Sequence, residues 1–116
     1  MKTALQKVCR GDVFYINPDG KLDVYGHMQS PTRPAVIISN EANNLYAPTV
    51  EIVYLTSKKK RWMPTHVNVI VSGRKNTVLC EQIMTIDRQL LGQYICHLTE
   101  DEMKEVSTSL AISIGL

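Results

Sequence analysis

The fold of this chain is decided by one short stretch of sequence, Arg33-Pro34-Ala35-Val36-Ile37-Ile38-Ser39. Its consecutive β-branched residues favour an extended backbone, and an apolar run of this length predicts a central strand that is buried on both faces. The proline also biases the preceding residue towards an extended conformation. We therefore expect Arg33 to open a core strand and to hold its charge at one end of a sheet.

A second apolar segment spans residues 50–55 and ends on Thr56. If the two segments pair as antiparallel strands, the residue that opens the first and the residue that closes the second lie at the same sheet end. A guanidinium and a hydroxyl group placed together can both donate hydrogen bonds to phosphate oxygens. Arg33 and Thr56 are therefore the first candidates for a functional site.

The composition is that of a globular protein. The 116 residues are 44% hydrophobic and 21% charged, which predicts a single domain over residues 1–116. No apolar run approaches the roughly 20 residues of a membrane span, and the first seven residues lack the apolar core of a signal peptide. The cysteines are odd in number and widely spaced, which argues against a metal site. We expect a cytoplasmic protein without a membrane partner, metal or other cofactor.

Charge is distributed unevenly along the chain. Residues 1–80 carry eleven Lys or Arg against five Asp or Glu, whereas residues 81–116 carry two against six. A basic body favours a polyanion or an acidic peptide as partner. An uneven but merely solvated surface is the alternative.

The remaining patterns predict short strands followed by one helix. Apolar or alternating runs indicate strands at residues 13–16, 66–71, 77–80 and 94–98, with turns at residues 17–20 and 72–76. Thr99 and Glu102 have the spacing of a capping box, and Gly115 ends the apolar stripe of the helix that follows. The predicted fold class is mainly β, a small barrel-like domain with a C-terminal α-helix.

A basic tract connects two of these strands, Lys58-Lys59-Lys60-Arg61-Trp62. Four cations and an aromatic ring suit a nucleic acid, since cations contact phosphates and a ring stacks on a base. A charged hairpin tip that resists edge-to-edge pairing explains the same residues without a ligand. Both interpretations stay open at this point.

The chain resembles the MazF/PemK toxins of bacterial toxin–antitoxin systems across nearly its whole length. The resemblance is carried by the order and spacing of several segments, which are residues 10–13, 33–40, 48–50, 55–57, 64–67, 78–83, 85–87 and 112–116. It implies an SH3-like β-barrel of the CcdB/PemK type that acts as a homodimer. It also implies an endoribonuclease that cuts single-stranded RNA, and an antitoxin whose acidic, disordered segment occupies the RNA groove.

The resemblance implies that Arg33 and Thr56 form the catalytic pair. The RNA 2′-hydroxyl would attack the adjacent phosphorus and leave a 2′,3′-cyclic phosphate and a 5′-hydroxyl, without a metal. The RNA-binding residues that we expect are Gln29, Ser57, Lys58, Asn76, Glu81 and Gln82. Arginine stays protonated and is a poor general base. Glu81 is either that base or a structural hydrogen-bond acceptor, so the base is left unassigned.

Two positions depart from the pattern of the family. Met28 stands where a Glu is common, and Met84 stands where an Arg is common. Both changes replace a charged group with an apolar, adaptable side chain, so we expect the preferred RNA sequence to differ from that of relatives that keep both charges.

Two other functions fit a small basic barrel. One is a toxin of the same fold that poisons DNA gyrase, as the CcdB relatives do, and the other is an RNA-binding barrel without catalysis. The first does not need Arg33 and Thr56 together, and the second needs only the basic tract. Discrete fragments from a long RNA incubated in EDTA distinguish the nuclease from both.

Overall fold

The computed structural model describes residues 7–17 and 33–116, in which six strands form one antiparallel sheet. The strands are Asp12–Ile16 (β1), Arg33–Ile37 (β2), Thr49–Thr56 (β3), His66–Val71 (β4), Arg74–Asp87 (β5) and Leu91–His97 (β6). Their order across the sheet is β4-β5-β3-β2-β1-β6, and the sheet curls into a half-barrel. The α-helices are Glu41–Tyr46 (α1) and Glu100–Ser113 (α2), and a 3-10 turn spans Arg88–Leu90. The predicted mainly β fold with a C-terminal helix is confirmed.

The two central strands, β2 and β3, bury apolar side chains on both faces of the sheet. On one face Val36, Val53 and Leu55 pack into a core that also contains Val106 of α2. On the other face Ala35, Ile37, Ile52 and Tyr54 pack with residues of β1. Residues 35–38 are buried throughout, which confirms the two-face burial predicted for this strand.

The capping box predicted at the start of α2 is present. The Thr99 side chain accepts a hydrogen bond from the Glu102 amide at 3.1 Å, and the Glu102 carboxylate accepts one from the Thr99 amide at 2.8 Å. The second Glu102 oxygen accepts the Ile70 amide of β4 at 2.9 Å, so the same carboxylate ties the helix to the sheet. The helix ends at Ser113, and Ile114, which follows it, is 59% exposed. In the described ranges, neither helix has the length and hydropathy needed to cross a membrane.

Strand β5 is longer than the sequence predicted. Residues 74–87 form one strand of 14 residues, whereas the sequence indicated only a short apolar strand at residues 77–80. The expected turn at residues 72–76 is reduced to Ser72 and Gly73, with φ values of 51° and 77°. Positive φ at both central residues is typical of a type I′ hairpin turn, which matches the twist of its strands. Arg74 therefore begins β5, paired with Val71.

Helix α1 was not predicted from the sequence. Asn40 is the N-cap and its side chain accepts a hydrogen bond from the Asn43 amide at 2.8 Å, and asparagine is among the residues preferred at this position. The helix is only six residues long and mostly exposed, so it carries almost no hydrophobic periodicity that a sequence pattern can register.

Candidate functional site

Arg33 and Thr56 meet at one end of the central strand pair. The strands pair antiparallel, with Ala35 opposite Tyr54 and Ile37 opposite Ile52. The same register continued by two residues places Arg33 opposite Thr56, since one opens β2 and the other closes β3. The antiparallel pairing assumed from the sequence is confirmed, and both residues lie on the sheet face of Tyr54.

The Arg33 guanidinium stacks on an aromatic ring. Its central carbon lies 4.1 Å from the centroid of the Tyr54 ring, which is within the range of a cation–π contact. Arg33 is exposed and Tyr54 is only 8% exposed, so the ring forms the floor beneath the cation. Neither of the ion pairs that residues 7–17 and 33–116 form involves Arg33.

The Thr56 hydroxyl is held by the backbone that follows it. Its oxygen accepts a hydrogen bond from the Lys58 amide at 3.1 Å, a local turn in which a threonine side chain bonds the backbone two residues on. Because the oxygen is the acceptor in this bond, the hydroxyl hydrogen stays available for donation to a ligand. Thr56 is half-buried, which leaves that hydrogen accessible.

These two residues lie in a cleft of about 630 Å³ at the end of the sheet. The cleft contains both predicted catalytic residues and four of the predicted RNA-binding residues, which are Ser57, Lys58, Asn76 and Gln82. They come from β2, the end of β3 and the two residues after it, and both halves of β5, so the sheet topology brings together residues that are distant in sequence.

Every charged side chain among the described residues that line the cleft is positive. These are the side chains of Arg33, Lys58, Lys60 and Arg74, and within residues 7–17 and 33–116 no Asp or Glu lines the cleft. Sequence reasoning did not assign Lys60 or Arg74 to the site. Lys60 was one of several equivalent cations in the basic tract, and Arg74 was placed in a turn. Four cations at one cleft favour a ligand that carries several negative charges.

Glu81 lies outside the lining of this cleft. Its carboxylate accepts a hydrogen bond from the Thr65 hydroxyl at 3.1 Å and lies 3.0 Å from Nε2 of His66. Burial alone raises the pKa of Glu81, but the hydrogen bonds from His66 and its other partners outweigh this and lower that pKa. This arrangement fits a structural acceptor. The predicted RNA-binding residue Gln29 lies outside the described residues.

The basic tract is divided between two surfaces. Lys58 and Lys60 line the cationic cleft, whereas Trp62, which is 79% exposed, borders a different groove against α2. The tract is also not a hairpin tip, because β5 lies between β3 and β4 in the sheet. The predicted combination of phosphate-binding cations and a stacking ring therefore does not form at one place.

Other candidate groups contribute little to this cleft. Met84 is 45% exposed on β5 and does not line the cleft, and Met28 lies outside the described residues. Cys80 is buried, and burial together with the nearby charge of Glu81 raises the pKa of its thiol to about 12, so it is not a thiolate nucleophile. Across residues 7–17 and 33–116, no three His, Cys, Asp or Glu side chains cluster as metal ligands.

Comparison with known proteins gives consistent matches. Residues 9–114 match the family described as PemK-like, MazF-like toxin of type II toxin–antitoxin system. The chain is 38% identical over 112 residues to endoribonuclease MazF of Staphylococcus saprophyticus, covering 92% of this chain and 91% of that protein.

Solved structures give the same result for the fold. An endoribonuclease from a mycobacterial species superposes with a TM-score of 0.77 at 26% identity, covering 97% of this chain and 95% of that one. A mycobacterial endoribonuclease in complex with its cognate antitoxin also gives 0.77, at 29% identity, covering 94% of this chain and 96% of that one.

Proposed function

This chain belongs to the PemK-like, MazF-like toxins of type II toxin–antitoxin systems and is an endoribonuclease toxin, and we propose that it cleaves single-stranded RNA at the cationic cleft. The observation that carries this proposal is the opposition of Arg33 and Thr56 inside that cleft. In the cell the substrate is mRNA, so the toxin acts in the cytoplasm and its cleavage stops translation and growth.

The proposed reaction uses a nucleophile that the RNA supplies. The 2′-oxygen loses its proton and attacks the adjacent phosphorus, the bond to the 5′-oxygen breaks, and that oxygen takes up a proton. The products are a 2′,3′-cyclic phosphate and a 5′-hydroxyl. No water and no metal-bound hydroxide is consumed in this step, so the protein has only to orient the strand and stabilise charge.

Arg33 and Thr56 have the hydrogen-bonding groups that this step needs. The edge of a guanidinium offers paired donors that match two phosphate oxygens. The Thr56 hydroxyl, with its oxygen already bonded to the Lys58 amide, adds a further donor. The hydrogen bonds from both groups to the phosphorane oxygens are strongest in the transition state, where those oxygens carry the most negative charge.

The remaining cleft residues bind the strand on either side of the reacting phosphate. Lys58, Lys60 and Arg74 contribute charge that attracts successive phosphates. Ser57, Asn76 and Gln82 contribute polar groups that can contact sugars or base edges. Gln29 and Glu81 remain predicted RNA contacts, Glu81 from outside the cleft lining.

The test is incubation of the purified protein with a long single-stranded RNA in EDTA. We expect discrete fragments, whose sequenced 5′ ends define the recognised site. Arg33→Ala and Thr56→Ala should each abolish the fragments while the fold is retained, as seen by circular dichroism. An intact RNA with wild-type protein contradicts the proposal, and so does equal cleavage by the Arg33→Ala variant.

We also propose that an antitoxin inhibits the enzyme by placing an acidic, disordered segment in the same cleft. The charge of the cleft supports this, because its four cations suit a polyanionic peptide as well as RNA. A non-cleavable RNA and the antitoxin should compete, and both should bind more weakly as salt rises. Simultaneous binding of both ligands contradicts a shared site.

The proposed active assembly is a homodimer. Large apolar side chains are exposed in the described part of the chain, among them Trp62, Ile112 and Ile114, and exposed apolar surface is typical of a protein interface. Light scattering at micromolar concentration should give the mass of two chains. The mass of one chain contradicts the dimer.

A further inference from the structure

The contact between Arg33 and Tyr54 has a consequence for the reaction, and this inference rests on the function proposed above. We propose that Tyr54 is a positioning residue that holds the Arg33 guanidinium in the orientation in which its edge meets the scissile phosphate. Tyr54 does not contact the reacting atoms in this proposal and acts entirely through Arg33.

The pairing of the two strands makes this contact possible. Tyr54 lies directly opposite Ala35, and Arg33 is two residues before Ala35 on the same sheet face. Diagonal neighbours of this kind are within reach of an aromatic ring and a long side chain. Ala35, fully buried and with only a methyl group, leaves the space between them open.

The geometry leaves the catalytic edge of the guanidinium free. A cation–π contact uses the flat face of the group, and the central carbon lies 4.1 Å above the ring centroid. Hydrogen bonds to phosphate use the N–H groups in the plane of the guanidinium. The ring and the phosphate can therefore bind Arg33 at the same time.

The ring also removes freedom from an otherwise mobile side chain. Arg33 is exposed, and an exposed arginine samples many rotamers before it binds a ligand. Tyr54 is held in the core formed with Ile37 and Ile52, so its own ring is fixed by packing. Because the fixed ring selects one guanidinium orientation, less conformational entropy of the Arg33 side chain is lost when the transition state forms. Removing the ring should therefore reduce kcat more than it raises KM.

The inference is tested by replacing the ring in graded steps. Tyr54→Phe keeps the aromatic face and should retain kcat within about twofold of wild type. Tyr54→Leu keeps an apolar side chain without that face and should lose about 2- to 30-fold in kcat with little change in KM. Phenylalanine analogues with one, two and three ring fluorines keep the shape but weaken the negative ring face, so kcat should fall stepwise along the series.

A matched control separates ring loss from damage to the core. Ile52→Val removes one methyl group from the same core and should lower the urea midpoint of unfolding without changing kcat. Arginine side-chain NMR adds a readout that does not depend on activity. The Arg33 Hε signal should lie upfield in the wild type because of the ring current, and should move downfield in Tyr54→Leu.

The outcomes distinguish this inference from the proposed function. Two results would contradict the positioning role while leaving the proposed nuclease activity intact, provided that the wild-type protein cleaves RNA. One is a kcat that does not change along the fluorinated series, and the other is an Arg33 Hε signal that does not move in Tyr54→Leu. If Ile52→Val loses kcat as Tyr54→Leu does, packing explains the effect and the inference fails. If the wild-type protein does not cleave RNA, the proposed function is wrong, and the positioning role of Tyr54, which depends on it, is wrong as well.

Discussion

The Ala35–Tyr54 register of the β2–β3 pair, continued by two residues, places Thr56 opposite Arg33, and two residues separated by more than twenty positions in sequence line the same cleft. The relationship depends on strand register alone. A slip of one residue between the strands would turn one of the two side chains to the opposite face of the sheet. Because the faces of both strands are buried, such a slip is strongly disfavoured, and the pair is held rigidly.

The first prediction concerns the Thr56 hydroxyl. Thr56→Val keeps the shape of the side chain but removes the donor, and should lower kcat by about 100-fold or more, as loss of one transition-state donor typically does. Thr56→Ser keeps the hydroxyl and should retain most of the activity. Single-turnover cleavage of a short RNA measures both. Equal rates for the Val and Ser variants would show that the hydroxyl takes no part.

The second prediction concerns the cations that sequence reasoning missed. Lys60→Gln and Arg74→Gln should each weaken binding of a non-cleavable single-stranded RNA, because each removes one positive charge that neutralises a phosphate in the cleft. The slope of log affinity against log salt should become shallower by about 0.7 for each phosphate that is no longer neutralised. Filter binding across a salt series provides the measurement.

Lys59 offers the matched control for that experiment. It lies in the same basic tract and is exposed, but it is not part of the cleft lining. Lys59→Gln should therefore leave the salt slope nearly unchanged. If all three variants shift the slope equally, the RNA responds to overall charge and the cleft is not the binding site.

The third prediction concerns the stability of α2 and its dependence on pH. Burial raises the pKa of Glu102, but hydrogen bonds from the Thr99 and Ile70 amides outweigh it and lower that pKa below its ordinary value of 4.5. A carboxylate with a lowered pKa stabilises the folded state above pH 4.5, and this contribution is lost as the pH falls through the folded-state value.

Glu102→Gln should accordingly reduce the free energy of unfolding by about 1 kcal/mol at neutral pH. The difference from wild type should shrink as the pH falls through the lowered pKa of Glu102, because the wild-type carboxyl then becomes protonated as well. Urea denaturation at a series of pH values measures this. Glu105→Gln, on the same helix and without a hydrogen bond to the sheet, should show neither effect; a difference that persists unchanged at low pH would contradict the assigned role of Glu102.

The strand ends and the helix start could be predicted because their signals are local. Val36, Ile37 and Ile38 have intrinsic strand preference, and the capping box of α2 is set by the fixed spacing from Thr99 to Glu102. The meeting of Arg33 and Thr56 followed from only one further assumption, that the strands are antiparallel. Such features depend on neighbouring residues in the sequence, so they can be recognised without knowledge of the tertiary structure.

The missed features depend on contacts that no local pattern encodes. Arg74 enters the cleft because the turn at Ser72 and Gly73 is two residues long, and the sequence indicated a longer one. The second half of β5 is exposed at residues 81–85, so it lacks the alternation that marks a half-buried strand. Trp62 was grouped with its basic neighbours by proximity in sequence, although the chain turns it towards α2.

The role of Tyr54 was hidden for a related reason. In sequence it is one apolar residue of a core strand, and its packing in that core is confirmed. Its second role depends on Ala35 being small and on Arg33 lying diagonally across the strand pair. Both conditions are visible only when the register is known.

The central claim is that the RNA's own 2′-hydroxyl is the nucleophile at a phosphate held by Arg33 and Thr56. The most direct measurement uses one RNA in which a single 2′-hydroxyl, at the nucleotide before the cleavage site, is replaced by hydrogen. We predict that cleavage at this site is abolished in EDTA, while a second recognised site in the same strand is cut at its normal rate. Cleavage of the substituted site at the unmodified rate would contradict the account.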